Sequence, residues 1–117
     1  MNKREVGAGY ESLAALYLQE QGFVILFQNY RCHIGEIDLI ARDGDTLVFI
    51  EVKYRRTDEY GAGEFHVDKR KQRTIYKVAQ QFLIWNFPEG NLPPCRFDVI
   101  AIDGEDSITH YPDAFIK

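Results

Sequence analysis

Apolar residues follow a helical period in two segments of the chain. Over residues 9–21 they recur every three or four positions, and Gly22 is a residue type that commonly ends a helix. A second stripe of this kind begins after Asp68, a typical helix N-cap, and ends before Pro88. We therefore expect two amphipathic helices, with the stripes Tyr10, Leu13, Ala14, Tyr17, Leu18 and Ile75, Val78, Ala79, Phe82, Leu83.

Five shorter segments are rich in β-branched and aromatic residues, a composition typical of strands. They are residues 23–27, 36–42, 47–54, 96–102 and 107–111. The first is apolar throughout, so we expect a buried strand there. Between the second and the third, the residues Asp-Gly-Asp-Thr predict a hairpin turn. Residues 61–63, Gly-Ala-Gly, predict a mobile loop.

The order αβββαββ predicts the α/β class, with a mixed sheet of about five strands and a helix on each side. Residues 114–116 are expected to fold back onto the core. The chain has 117 residues, 45% of them apolar, and contains no repeat and no linker. We therefore expect a single domain over residues 1–117, large enough to need no disulfide or metal for its core.

Apolar runs such as residues 23–27 and 47–50 are far shorter than the ~20 residues that cross a bilayer. We therefore expect no membrane-spanning segment. The first residues include basic side chains but no apolar stretch behind them, which is unlike a signal peptide. The expected location is the cytoplasm, where Cys32 and Cys95 would stay reduced.

The charges are distributed unevenly along the chain. Lysine and arginine number 14 against 18 acidic residues, and a net charge of −4 argues against a nucleic-acid partner. Residues 52–77, however, carry eight basic and four acidic side chains, so this stretch is +4 and the remainder −8. Such a stretch is either a solvated helix face or a surface that binds phosphates.

Two acidic residues stand in the predicted hairpin among apolar neighbours. If Gly44 and Asp45 form the turn, Asp38 lies directly opposite Glu51, with Cβ atoms ~4.5–5.5 Å apart. Two carboxylates this close would hold one cation between them or else repel each other. The simpler alternative is an ion pair of either acid with a base such as Lys53 or Arg55.

Each predicted helix carries one charged residue beside its apolar stripe. Glu11 borders the first stripe, although an acid in a first helical turn is also favoured by the helix dipole. Lys71 is in register with the second stripe, so its ammonium should point toward the sheet unless it bends out to solvent. Surface or loop positions are expected for Gln72, Arg73, His33, His66 and His110.

Three acids and a lysine at one sheet edge would offer oxygen ligands, which suit Mg²⁺ or Mn²⁺ and not Zn²⁺. Such a metal acts on phosphates, because it polarises the phosphoryl oxygen and lowers the pKa of a bound water. Glycine-rich phosphate loops and the serine hydrolase elbow are absent from the sequence. The pattern therefore indicates phosphodiester hydrolysis.

Four segments in order resemble the YraN family of bacterial proteins. They are Gly-Glu-Ile-Asp-Leu-Ile-Ala at residues 35–41, Val-Phe-Ile-Glu-Val-Lys at 48–53, Lys-Gln at 71–72 and Arg-Phe-Asp-Val at 96–99, with Arg55 after the second. That family is similar to archaeal Holliday-junction resolvases and to the PD-(D/E)XK nucleases. The resemblance implies a restriction-endonuclease-like fold, and Ile37 stands where the motif has its proline.

The resemblance also implies roles for individual residues. Asp38, Glu51 and Lys53 match the catalytic acid, acid and lysine, and Glu11 matches the extra acid of the first helix. In the implied mechanism Glu11, Asp38, Glu51 and the carbonyl of Val52 bind Mg²⁺ or Mn²⁺, and Lys53 positions the attacking water. The phosphate contacts are assigned to Arg55, Arg56, Lys71 and Arg73. Glu36 receives no role.

The leading hypothesis is thus a Mg²⁺-dependent endonuclease or resolvase for branched or damaged DNA in repair or recombination. A homodimer is expected by analogy, because resolving a junction needs two symmetric cuts. The alternative is a module on a nuclease fold that binds nucleic acid or a partner protein without turnover. The matched acids and lysine favour the enzyme, and the net negative charge favours the alternative.

Overall fold

The computed structural model describes residues 3–55 and 67–115, with side chains from Gly9 onward. Its elements are α1 (Lys3–Glu20), β1 (Val24–Arg31), β2 (Glu36–Asp43), β3 (Thr46–Tyr54), α2 (Lys69–Asn86), β4 (Cys95–Ile102) and β5 (Ile108–Tyr111). The predicted order and the α/β class are confirmed. The largest difference in the bounds of the strands is that β1 continues four residues further than the sequence pattern indicates. The predicted glycine loop at 61–63 lies outside the described residues.

The five strands form one mixed sheet in the order β1-β2-β3-β4-β5. β3 and β4 are parallel, and the other three neighbouring pairs are antiparallel. A parallel pair needs a long crossover between its strands, and the segment that carries α2 supplies it. The mixed sheet expected from the sequence is therefore confirmed.

Each face of the sheet packs against one helix, as predicted. The face toward α2 buries Ile40 and Phe49 against the helical residues Ile75, Val78 and Phe82. The opposite face forms a second buried cluster with α1, comprising Ala14, Ala15, Leu18, Leu39, Ala41, Val48, Ile50, Ile100 and Ile102. Phe115 returns to the α2 side of the core and is buried there, as expected for the end of the chain.

The prediction that residues 23–27 form a buried strand is wrong. Phe23 is buried, but Val24, Leu26 and Phe27 are 46%, 38% and 42% exposed. The reason is position in the sheet, since β1 is an edge strand with a neighbour on one side only. An unbroken apolar run does not distinguish an edge strand from a central one.

The ends of the elements follow from local chemistry. Asp68 caps α2, and its carboxylate accepts a hydrogen bond of 2.8 Å from the backbone N–H of Lys71. Gly44, at φ 60°, is the first of the two turn residues of the β2–β3 hairpin, where a positive φ is required. This turn determines which residues of the two strands face each other.

The surface position expected for Gln72 is wrong. Its side chain is buried, and its Nε2 donates a hydrogen bond of 2.8 Å to the carbonyl of Val67. This hydrogen bond satisfies the backbone carbonyl of Val67, which precedes α2 and lies outside the strands. No helix in residues 3–55 and 67–115 is long and apolar enough to cross a membrane.

Candidate functional site

The β2–β3 hairpin has the register predicted from its turn. The pairs run from Asp43 with Thr46 to Leu39 with Ile50. The next position brings Asp38 opposite Glu51, but there the ladder of paired residues ends. Instead, Oδ2 of Asp38 accepts the backbone N–H of Val52 at 2.8 Å. A side-chain carboxylate thus replaces the backbone partner at the point where the two strands separate.

The side-chain alternation of β2 is interrupted at Asp38. Ile37 and Ile40 both pack in the cluster on the α2 side, although residues three apart in a regular strand point to opposite faces. On the neighbouring strand, Asn29 has a φ of 57° at the corresponding level. The irregularity leaves the Asp38 carboxylate between the two faces, where it meets Glu11 from α1 and the charge of Lys71 from α2.

Glu11 and Asp38 line a pocket of about 210 Å³ at the open end of the hairpin, which we call the acid pocket. Its lining residues are Tyr10, Glu11, Asp38, Glu51, Val52, Lys53 and Tyr54. A larger hollow of about 500 Å³ beside the end of α2 is lined by Leu83, Ile84, Phe87 and other residues without a titratable side chain. Of these two hollows, only the acid pocket is lined by titratable side chains.

The three acids of the pocket are difficult to ionise together. Burial, followed by the nearby charge of Asp38, raises the pKa of Glu11 to about 7 and that of Glu51 to about 7. Burial also raises the pKa of Asp38, against the opposing hydrogen bond from Val52 and the charge of Lys71. Glu11 and Asp38 are close enough for each to shift the pKa of the other. The pocket therefore favours a bound positive charge.

Lys71 supplies a positive charge from the helix. Its Nζ lies 3.4 Å from Oε1 of Glu51, so the prediction that its ammonium points toward the sheet is confirmed. The simpler alternative for the acids is an ion pair with Lys53 or Arg55, and the charge of Lys53 does act on Glu51. The ion pair that Glu51 forms, however, is with Lys71 of α2.

The donor atoms of the pocket match the chemistry of Mg²⁺. Asp38, Glu51 and Glu11 offer carboxylate oxygens, and among residues 3–55 and 67–115 no thiolate or imidazole lines the pocket. The N–H of Val52 faces Asp38, and since the N–H and C=O of a strand residue point the same way, its carbonyl lies on this side of β3 as well. As the described side chains stand, no three of the Asp, Glu, His or Cys type already enclose a metal. Binding a metal would therefore require the carboxylates to close around it and Glu51 to exchange its contact with Lys71.

The sequence of the chain matches one protein family over most of its length. The model of the Uncharacterised protein family UPF0102 covers residues 10–102. The chain belongs to this family. A UPF0102 protein of Lachnoclostridium phytofermentans is 48% identical over 107 residues, which are 91% of this chain and 89% of the relative. Relatives from Pseudomonas syringae and Syntrophus aciditrophicus are 46% and 50% identical over 88% and 79% of this chain and 83% and 71% of their own lengths. This match confirms the resemblance to the YraN family of bacterial proteins that the sequence motifs indicate.

The UPF0102 match includes every residue that lines the acid pocket. The basic residues expected to bind phosphate do not all lie at this pocket. Arg55 follows β3 directly, and its backbone N–H donates to the carbonyl of Ile102 at 2.9 Å. Arg73 is exposed on α2, two residues beyond Lys71 and therefore on a different side of the helix. Arg56 lies outside the described residues. The structure thus brings Lys53 and Lys71 to the pocket, and leaves Arg73 apart from Lys71.

The sequence analysis missed a second group of polar residues in this UPF0102 chain. Asp98 of β4 is completely buried, and both of its oxygens accept hydrogen bonds from Arg96 at 3.0–3.2 Å. The carboxylate also accepts the backbone N–H of Asp113 at 2.9 Å, and Arg96 reaches Asp43 at 3.1 Å. We call these residues, with His110, the Asp98 network.

The surface position expected for His110 is wrong, because its ring belongs to the Asp98 network. Its Nε2 lies 2.8 Å from Oδ2 of Asp98, and its ring packs edge-on against Tyr17 and Phe23. The signal available in the sequence was the pair Arg96 and Asp98, two residues apart and therefore on one face of a strand. The partner on β5 is brought near by strand pairing, which the sequence pattern does not specify.

Proposed function

We propose that this UPF0102 protein is a Mg²⁺-dependent nuclease that hydrolyses phosphodiester bonds in DNA. The observation that carries the proposal is the meeting of Asp38, Glu51 and Lys53 in one pocket where the two acids resist ionisation. This is the set of residues that the resemblance to PD-(D/E)XK nucleases assigns to catalysis. Branched or damaged DNA, a cytoplasmic location and a homodimer are parts of the same proposal.

The roles follow from the positions of the groups. Asp38, Glu51, Glu11 and the carbonyl of Val52 would hold the metal, which polarises the phosphate and acidifies a water when bound. Lys53 follows Glu51 by two residues and therefore lies on the same face of β3, where it can orient the water and stabilise the charge that develops on the phosphate. Lys71 lies 3.4 Å from Glu51, and if a metal took over that carboxylate, the Lys71 ammonium would be available to a substrate phosphate.

The test is a metal titration followed by cleavage assays on duplex, single-stranded, flap and four-way DNA. We expect cleavage with Mg²⁺ or Mn²⁺ and none with EDTA. Lys53→Ala should keep the metal affinity and lose on the order of a hundredfold in rate, because one group acting only in the transition state is removed. Lys77→Ala, on an exposed position of α2, is the matched control. Cleavage by Lys53→Ala at the wild-type rate would contradict the mechanism.

A second candidate function is binding without turnover. It is favoured by the ion pair of Lys71 with Glu51, which already neutralises part of the pocket. Under this alternative the protein binds nucleic acid with the same affinity in EDTA and in Mg²⁺ and cleaves none of the four substrates. Cleavage of any of them by the wild type, abolished in Asp38→Ala, decides for the enzyme.

A further inference from the structure

Two tyrosines form one wall of the acid pocket. Tyr10 comes from α1 and Tyr54 from the last position of β3, and their rings stack with centroids 4.4 Å apart and planes 18° from parallel. Tyr54 remains 43% exposed. The pocket therefore has a flat aromatic surface that is held in one orientation and still faces solvent.

Other stacked rings in the molecule have a different setting. Phe97 stacks on Phe49 and on Phe115 inside the cluster on the α2 side. Those pairs fill the core, which accounts for them. The Tyr10–Tyr54 pair instead lines the acid pocket, and Tyr54 keeps part of its surface accessible there.

The position of the two rings in the acid pocket relates them to the proposed chemistry. Tyr10 and Tyr54 line this pocket together with its three acids and Lys53. A phosphate held between the acids and Lys53 would therefore have the aromatic surface beside it. In a nucleic acid, each phosphate has a nucleobase close to it, joined through the sugar. The nucleobase is flat, and its π-face can stack on such a surface.

Stacking on an aromatic side chain requires a base whose face is available. Base-to-aromatic stacking favours binding and tolerates any sequence, because every base has a π-face. In a duplex both faces of a base are covered by its neighbours, so extruding the base has an energetic cost. An exposed ring beside the pocket therefore selects nucleotides that are already unpaired.

We propose that Tyr54, supported by Tyr10, is a stacking platform for an unpaired nucleobase, so that the preferred substrate carries unpaired nucleotides beside the cleaved phosphate. This inference rests on the proposed function and adds the substrate class to it. The shared chemistry is an unpaired base, which single-stranded DNA, flaps, bulges and single-stranded RNA all provide. RNA and DNA strands of the same sequence distinguish these sources.

The experiment measures the affinity for a single strand and for the matching duplex by fluorescence anisotropy, in Ca²⁺ to prevent cleavage. Tyr54→Leu should weaken single-strand binding at least fivefold and change duplex binding less than twofold, since only the stacking contact is removed. Tyr54→Phe keeps the ring and should restore single-strand affinity. The control is Trp85→Leu, which removes a ring that is 71% exposed on α2 away from the pocket.

A spectroscopic arm reports stacking directly. Trp85 is the only tryptophan of the chain, so Tyr54→Trp in a Trp85→Phe background places a single fluorophore at the platform. Single-stranded DNA should quench its emission, and duplex of equal concentration should not. Equal quenching by RNA and DNA strands assigns the platform to the base alone, and quenching by one of them assigns the substrate to that nucleic acid.

Two outcomes would overturn the platform. One is an equal loss of single-strand and duplex affinity in Tyr54→Leu together with a lowered Tm, which would show that the rings only join α1 to β3. The other is unquenched emission of the Tyr54→Trp variant when the strand is bound. Cleavage that continues under either result leaves the proposed nuclease intact, whereas a wild type that neither binds nor cleaves nucleic acid overturns the proposed function itself.

Discussion

Glu51 and Asp98 are both buried carboxylates on neighbouring strands, and they differ in their partners. The side chain of Glu51 is 4% exposed, and that of Asp98 is fully buried. Burial acts to raise the pKa of both carboxyl groups. For Glu51 the charge of Asp38 also raises the pKa, which reaches about 7. For Asp98 the hydrogen bonds from His110, Arg96 and the N–H of Asp113 outweigh burial and hold the pKa below its ordinary value.

This difference separates a structural centre from a candidate functional one. The Asp98 network joins β4 to β5 through His110, to the segment after β5 through Asp113, and to the end of β2 through Arg96 and Asp43. Its charges are matched by hydrogen bonds, as a buried polar network must be if it is to stabilise a fold. The acid pocket gathers three carboxyl groups, and burial and their mutual repulsion raise the pKa of Glu11 and Glu51. An arrangement of this kind lowers stability and is typical of a site that binds a cation.

The largest expected effect comes from breaking the Asp98 network. Asp98→Asn keeps the shape of the side chain but removes the negative charge that Arg96 and His110 face. We expect the free energy of unfolding to fall by about 3–5 kcal/mol. The amide cannot accept all the hydrogen bonds that the carboxylate receives from Arg96, His110 and the N–H of Asp113, and each hydrogen bond to a charged group contributes about 1.5–3 kcal/mol. Urea unfolding followed by circular dichroism measures it. Asp38→Asn is the comparison and should cost far less, and equal losses in the two variants would refute the distinction between the centres.

The pH dependence of stability should come from the acid pocket. Between the ordinary pKa of glutamate, 4.5, and the folded value of about 7, the folded state binds a proton that the unfolded state has released. The free energy of unfolding therefore falls as pH rises through this window and levels off above it. At about 1.4 kcal/mol per pKa unit, Glu51 contributes on the order of 3 kcal/mol to this fall.

Glu51→Gln removes this contribution and should flatten the pH profile while stabilising the protein near pH 8. Chemical denaturation at half-unit steps from pH 4.5 to pH 8 tests it. Glu11 remains in the variant and retains its own part of the slope. An unchanged slope in Glu51→Gln would show that the carboxylate is not held protonated by the fold.

A divalent cation should reverse the repulsion in the acid pocket and leave the Asp98 network unaffected. At pH 7.5, Mg²⁺ or Mn²⁺ at 100 times its Kd should stabilise the wild type by about 2.7 kcal/mol, because it binds the folded state only. Asp38→Ala should lose this gain, whereas Arg96→Lys, in the network, should keep it. Thermal unfolding across a metal titration is the measurement. The same Tm increase in wild type and Asp38→Ala would place the metal elsewhere.

The smallest effect is expected at Glu36, at the margin of the acid pocket. Its side chain is 40% exposed and pairs with Arg31 at 2.7 Å, while its charge contributes to the raised pKa of Glu11 and of Asp38. Glu36→Gln should change stability by less than about 1 kcal/mol, since exposed ion pairs contribute little. It should also lower the pKa of Glu11 slightly, which a carboxyl NMR titration measures. A large loss of stability would mean that Glu36 takes part in the buried charge interactions of the acid pocket.

Residues near one another in sequence account for most of what could be predicted. The turn at Gly44 fixes the hairpin register, and the register brings Asp38 level with Glu51. The helical period similarly directs Lys71 toward the sheet. These predictions succeed because the period of a strand or helix and the geometry of a tight turn depend on neighbouring residues alone.

The errors concern residues whose surroundings come from distant parts of the chain. Val24 and Phe27 are exposed because β1 became an edge strand, and Gln72 is buried because the segment at Val67 passes over it. His110 meets Asp98 because β5 pairs with β4. The stacking of Tyr10 on Tyr54 likewise depends on how α1 lies across β3.

The sequence by itself determined the order of helices and strands, the register that brings the two acids of the hairpin level with each other, and the family to which the chain belongs. Tertiary structure decided which buried carboxylate is neutralised and which is not. The physical reason is that periodicity specifies the direction of a side chain, whereas a pKa depends on the burial and the charges around it. Asp98 acquires donors from β4, β5 and the segment beyond, and Glu51 acquires Lys71 and the repulsion of Asp38. Strand pairing and helix packing alone bring these groups together.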